Sequence, residues 1–226
     1  MIEVQAGIAA VPDADGMALF GTWRVGSPHR QEAAAQVTAA AWQARPWPGA
    51  GLRSYAVLAG DDGDTLLHVA QVTDPGGARG QDLSWKQEVD EAVPGIERSG
   101  ITAARLQRST PAYGPTEQAG CVVLVTRDFD DPDVERAHAL VEAVFEGSAH
   151  TPPARGLIRA SFYVSLDGSQ VFNYALWTSA DAHEEAIGNR PPQLEDNPRW
   201  RQAHAWLGLT STTFQRFRPL LRLTAA

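Results

Sequence analysis

The chain has 226 residues, of which 43% are hydrophobic and 20% charged, and a net charge of −8 at neutral pH. That composition supports a globular core but no basic surface, which excludes nucleic acid and anionic membranes as partners. No apolar run approaches the roughly 20 residues of a membrane span. The opening "MIEVQAGIAAVPDADG" lacks a secretory pattern, and Cys121 is the only cysteine, so a cytoplasmic setting is expected.

In chain order, the first predicted helix begins at Ser27-Pro28, a capping residue before a proline, and ends near Trp42. "GLRSYAVLAGDDGDTLLHVAQVT" follows from Gly51: an apolar strand, an Asp-Gly turn and a second apolar strand. A helix from Trp85 and a strand "GITAARLQRS" complete the pattern β-α-β-β-α-β, over residues 17–109. A Pro/Gly-rich linker occupies 110–118. The pattern then recurs over 119–224, with a helix expected from Asp131-Pro132 to near Phe145. "GLIRASFYVSLDGSQVFNYALWT" begins at Gly156, 105 residues after Gly51, and aligns Asp62-Gly63 with Asp167-Gly168. The second copy has a longer connection, "SADAHEEAIGNRPPQLEDNPRW", a candidate lid or site wall, before a helix from Trp200 and a last strand "STTFQRFRPLLRL".

The fold class expected is α+β: two tandem ferredoxin-like units. Helices cover one face of each sheet, so the other face needs a partner. Leu67, Val69 and Gln71, with Phe172, Tyr174 and Leu176, supply such faces, and the two sheets are expected to pack together as a pseudo-dimer within one chain.

The turns set the register. With Asp167-Gly168 at the tip, Phe162 opposes Asn173, Ala160 opposes Ala175 and Ile158 opposes Trp177, all on the helix side. This is an apolar wall with one amide and one indole N–H, the make-up of a small-molecule pocket. In the first copy, Val57 opposes His68, Tyr55 opposes Ala70 and Arg53 opposes Val72, so Arg53, Tyr55 and His68 share a wall. Trp200 and His204 lie one helical turn apart and are placed to cap the second cleft.

These residues carry a resemblance. The duplicated β-α-β-β-α-β pattern resembles the dimeric α+β barrel superfamily, and the Asn-x-x-x-Trp of "NYALW" resembles the antibiotic biosynthesis monooxygenase family, with anthrone oxygenases the nearest in kind. The tandem layout also resembles the angucycline ring-opening oxygenases. The resemblance implies an oxygenase that tailors a polycyclic aromatic polyketide, with O2 as cosubstrate and no tightly bound cofactor or metal. It assigns Asn173 and Trp177 to catalysis; His68 joins them as the best-suited base by residue type. Phe162, Ala175, Tyr55, Trp200 and His204 are the expected substrate contacts. Asn173 and Trp177 are expected to act on one oxygen-bearing group.

Three alternatives stay open: ring cleavage assisted by diffusible reduced flavin (FMN or FAD), a polyketide cyclase, and a non-catalytic carrier of aromatic ligands. The pseudo-dimer stands alone or pairs with a second copy. Other chemistries lack their residues: there is no H-E-x-x-H, C-x-x-C or G-x-S-x-G motif. His183, Glu184 and Glu185 point apart on a helix and make no metal site, and "DPGGARG" is a weak phosphate loop.

Overall fold

The computed structural model describes residues 2–5, 16–48, 51–73, 84–116, 119–191, 194 and 196–225. Both copies of β-α-β-β-α-β are present. The first comprises β2 (Met17–Arg24), α1 (Pro28–Gln43), β3 (Leu52–Gly60), β4 (Thr65–Val72), α2 (Ser84–Ala92) and β5 (Glu97–Ser109). The second comprises β6 (Cys121–Phe129), α3 (Val134–Ser148), β7 (Leu157–Ser165), β8 (Gln170–Trp177), α5 (Pro198–His204) and β9 (Leu209–Ala225). Two elements were not expected: β1 (Ile2–Gln5), and α4 (Ala180–Gly188) inside the long connection. "DPGGARG" lies outside the described residues.

The chain forms two compact units, one of residues up to Ala104 together with those from Phe217, the other of Arg105–Arg216. Each of the long strands β5 and β9 therefore serves both. The strand order of the first unit is β1-β9-β3-β4-β2-β5; in the second, β5 pairs β7, followed by β8 and β6, and β6 also pairs β9.

Each hairpin is locked in the same way. Asp62 Oδ1 accepts from the backbone N–H of Asp64 and of Thr65, both at 2.9 Å. Asp167 Oδ1 accepts from Ser169 N–H at 3.0 Å and from the Ser165 hydroxyl at 2.7 Å. Gly63 and Gly168 follow at φ 73° and 76°, in the left-handed region that favours glycine. A Cβ on Gly63 would lie 2.9 Å from Pro28 Cγ, and one on Gly168 would lie 2.3 Å from the Asp133 carbonyl carbon. Each hairpin tip thus sits against the N-terminus of its own unit's first helix. Ser27 caps α1 as expected. The cap of α3 is Asp133 rather than Asp131: its Oδ1 accepts from Arg136 N–H at 3.0 Å, and its own N–H bonds Gly168 O at 3.5 Å. Contact with the hairpin selects the later carboxylate.

The register confirms Phe162 opposite Asn173, Ala160 opposite Ala175, Val57 opposite His68 and Tyr55 opposite Ala70. It corrects the ends of both walls. Leu157 opposes Trp177 and Leu52 opposes Val72, because a bulge in each copy inserts one extra residue, Ile158 or Arg53. Arg53 is exposed instead of lining the first wall. Ile158 is buried outside the helix-side cluster, and its carbonyl accepts from Tyr113 N–H at 2.8 Å. The bulge keeps a leucine on each helix side. Leu67, Val69, Gln71, Phe172, Tyr174 and Leu176, the residues expected to need cover, are all buried.

Gly168→Ala tests the hairpin lock. Gly95 has the same backbone hand (φ 82°), but a Cβ there would have nothing within 4 Å. Gly95→Ala should cost only the left-handed backbone penalty, about 1–2 kcal/mol. Gly168→Ala must also push α3 off the hairpin and should cost at least about twice as much in urea unfolding.

Candidate functional site

In the second unit, the helix side of the sheet is an apolar cluster that includes Val123, Ala160, Phe162, Ala175 and Trp177, packed beneath Ala137, Leu140 and Ala143 of α3. Asn173 lies on this face, directly opposite Phe162 on β7 and Val125 on β6. Asn173 and Val125 are only half-buried, whereas Ala160, Phe162 and Ala175 around them are buried. Among the helix-side residues of β6 and β8, this pair alone is partly open to solvent.

On this wall Asn173 Oδ1, an acceptor, and Trp177 Nε1–H, a donor, have no hydrogen-bond partner. Leaving such groups buried and unpaired costs about 1–3 kcal/mol each. A strand rises about 3.3 Å per residue, so the two Cα atoms stand about 13 Å apart with Ala175 between them. That separation replaces the expectation of one shared oxygen. A flat molecule lying over Ala175 and Ala160 would offer a different oxygen to each.

Two close helix contacts complete the wall. A Cβ on Gly147 of α3 would lie 2.8 Å from Trp200 N, and Asn197 Nδ2 donates to Gly147 O at 2.8 Å. These contacts hold α5 against α3 and place half-buried Trp200 at the cluster's edge. His204 stacks on Trp200 with ring centroids 4.4 Å apart, and its Nδ1 donates to the Trp200 carbonyl at 2.9 Å. Gly156, at φ 85°, admits α4 equally closely: a Cβ there would lie 2.6 Å from Ala182 Cβ.

That approach brings in His183, which the sequence presents only as a potential metal ligand. Its ring meets Trp177 edge-to-face at 4.9 Å, and its Nδ1 accepts from Arg216 Nε at 3.0 Å. An arginine can only donate, so the imidazole proton sits on Nε2. Burial, reinforced by Arg216 and Arg190, pushes the His183 pKa down to about 4. His183 is thus a neutral donor beside Trp177. The sequence signal for it is Ser179, which caps α4 and sets His183 one turn into the helix.

Arg127 is a second site residue that the sequence does not single out. Counting by twos along β6 from Cys121 and Val123 places it on the helix side. It is only 5% exposed, and its Nε and Nη1 have no partner. Burial without a carboxylate lowers its pKa to about 10.

Tyr55 and His68 belong to the first unit. Tyr55 Oη and His68 Nδ1 share a hydrogen bond of 2.6 Å, and His68 stacks on Trp23 at 3.9 Å. Trp42 stacks on Tyr55 at 5.1 Å, and Trp85 lies 5.7 Å from Trp42 and 5.9 Å from Trp23. This aromatic packing fills the helix side of the first unit's sheet. Burial, with help from Lys86 and Arg98, holds the His68 pKa near 3, and burial raises that of Tyr55. A recess of about 380 Å³ in this unit is lined by Arg24, Arg30, Asp64 and Glu97, and by none of the predicted site residues. Among the described residues, no three His, Cys, Asp or Glu side chains cluster to hold a metal.

The depressed pKa values of His68 and His183 make stability depend on pH. Each of these histidines binds a proton more readily unfolded than folded, so stability declines as pH falls from about 6.5 towards about 4. In an NMR titration both imidazoles should remain neutral at pH 5.5, and the unfolding midpoint should drop between pH 6.5 and 4.5.

No protein-family model and no curated protein sequence matches the chain. Solved structures do. An anthrone oxidase-like protein superposes with a TM-score of 0.67 at 13% identity, covering 97% of this chain and 95% of that one. Candidate monooxygenases from Lactobacillus acidophilus NCFM and Fusobacterium nucleatum subsp. nucleatum each give 0.58, at 8% and 10% identity, with 92% and 94% of this chain covered and 95% and 96% of theirs. The chain therefore has the ferredoxin-like α+β fold of antibiotic biosynthesis monooxygenase-type proteins, as its sequence resemblance implied.

Proposed function

We propose that the second unit is an oxygenase of polycyclic aromatic polyketides, oxidising an anthrone- or phenol-type ring with O2 and no bound metal or prosthetic group. The observation that carries this reading is the pair of orphaned polar atoms, Asn173 Oδ1 and Trp177 Nε1, on one apolar wall that is partly open at Asn173. A hydroxylated flat substrate satisfies both: a ring hydroxyl donates to Asn173, and a carbonyl or ionised oxygen accepts from Trp177. His183 Nε2–H, on the Trp177 side, adds a second neutral donor. Donors fixed in an apolar site stabilise developing negative charge without reorganising.

The chemistry balances for an anthrone-type methylene. Loss of a proton gives a resonance-stabilised anion, which passes one electron to O2. The radical pair forms a carbon–oxygen bond, and a proton completes the hydroperoxide. Loss of the remaining carbon-bound hydrogen as a proton, with O–O cleavage, leaves a ketone and water. One oxygen atom enters the product and the other becomes water. His183 is a poor candidate for the first proton transfer because Arg216 occupies its Nδ1 lone pair. The neutral donors instead favour the anion once it forms.

Oxygen uptake with anthrone, in the presence of a chelator and without added flavin, tests the reading. Trp177→Phe should lower kcat about a hundredfold, the usual effect of losing one preorganised donor, and Asn173→Ala, which removes the acceptor for the ring hydroxyl, should lower kcat/KM by about tenfold or more. The double variant should lower kcat/KM by about the product of the two, because they bind different oxygens. Binding of anthrone with no oxygen uptake by the wild type would instead mark the unit as an aromatic-ligand carrier, and uptake only with reduced flavin would mark a flavin-assisted reaction.

A further inference from the structure

We propose that the second unit's ligand presents an anionic oxygen to Arg127, making this buried guanidinium the anchor that selects charged aromatic ligands over neutral ones. The inference deepens the function proposed above and rests on that unit holding an aromatic ligand, but it does not need oxygen chemistry.

Three observations carry it. Arg127 is on the helix side of β6, on the same face as Val123 and Val125. It opposes Val171, while Asn173 opposes Val125, so Arg127 and Asn173 are diagonal neighbours across one strand pair, about 7–8 Å apart at their backbones. The half-buried Asn173–Val125 pair lies beside it. Finally, Arg127 is 5% exposed with Nε and Nη1 unpartnered, and none of the ion pairs among the described residues involves it.

A buried arginine is ordinarily paired, because an uncompensated interior charge costs several kcal/mol. Arg136 of this unit, itself largely buried, meets Asp130 at 3.0 Å. Arg127 departs from this pairing on the face that also carries the orphaned Asn173 and Trp177 atoms. An anionic oxygen, moderately dehydrated and accepting from a guanidinium, is the ligand chemistry that removes this cost. It has two sources: a carboxylate substituent on the ring system, or a ring hydroxyl ionised in the site.

Two equilibrium measurements on the full chain, made without oxygen, separate the sources. In the first, 9,10-anthraquinone-2-carboxylate and its carboxamide are titrated against tryptophan fluorescence. A carboxylate role predicts at least tenfold tighter binding of the acid by the wild type, and loss of that preference in Arg127→Met with carboxamide affinity unchanged. In the second, the visible absorption of bound 2-hydroxyanthraquinone reports ionisation. A phenolate role predicts that the bound hydroxyl ionises at least one pH unit lower in the wild type than free in solution, and that Arg127→Met abolishes the shift while Arg127→Lys retains part of it. Support from either measurement sustains the proposal and names the source. It is overturned if the wild type shows neither preference nor shift, a result that needs no variant to fold, or if Arg127→Met keeps both. Charge selection by a protein that consumes no oxygen with anthrone would defeat the oxygenase reading and leave the anion site standing.

Discussion

The seating of each Asp-Gly hairpin on a helix N-terminus is the constraint from which the rest of the architecture follows. Strand side chains alternate, so a slip of one residue would turn every wall residue to the opposite face. The aspartate that closes each turn and the glycine that lies against the helix backbone leave no room for that slip. Asn173, Ala175 and Trp177 face the helices because Gly168 has no side chain to hold Asp133 away. The same lock in the first unit fixes Tyr55 and His68, although those residues meet a very different environment.

The two copies show how one scaffold is spent in two ways. Tryptophans at 23, 42 and 85 occupy the first cleft, and His68 is absorbed among them as a neutral, hydrogen-bonded ring. In the second, Asn173 takes the place of His68, among Ala160, Phe162 and Ala175. Fold and function separate here: both units share a topology, but their walls differ in chemistry.

Most of this was legible in the sequence because it depends on local rules. The duplicated Asp-Gly turns fixed strand pairing near the tip, and the proline after Ser27 marked a helix start. What escaped depends on non-local contact. The bulges at Arg53 and Ile158 occur where each hairpin leaves its tip, and no turn residue announces them. The cap at Asp133 is chosen by a hairpin more than thirty residues downstream, between three nearby aspartates of equal chemistry. Strand β1 needs β9 as its partner, so its four residues carried no signal alone. Arg127 was hidden differently: the alternation that places it was readable, but a charged residue at the end of an apolar strand reads naturally as solvent-facing until its burial is known.

The division of β9 between the units has a consequence for how the chain comes to be folded. Residues 54–60 of β3 find their second neighbour in residues 217–224, and β1 pairs with the same strand. During synthesis the ribosome would release the hairpin of the first unit long before the strand that flanks it. That unit, although made first, must wait with an unpaired edge while the second is translated, and so would complete its sheet last. Such late, long-range pairing slows folding and leaves a strand edge open to association meanwhile. The tryptophan-rich packing beneath that sheet would then serve a temporal purpose: it would hold the waiting hairpin and helix together until its distant neighbour arrives.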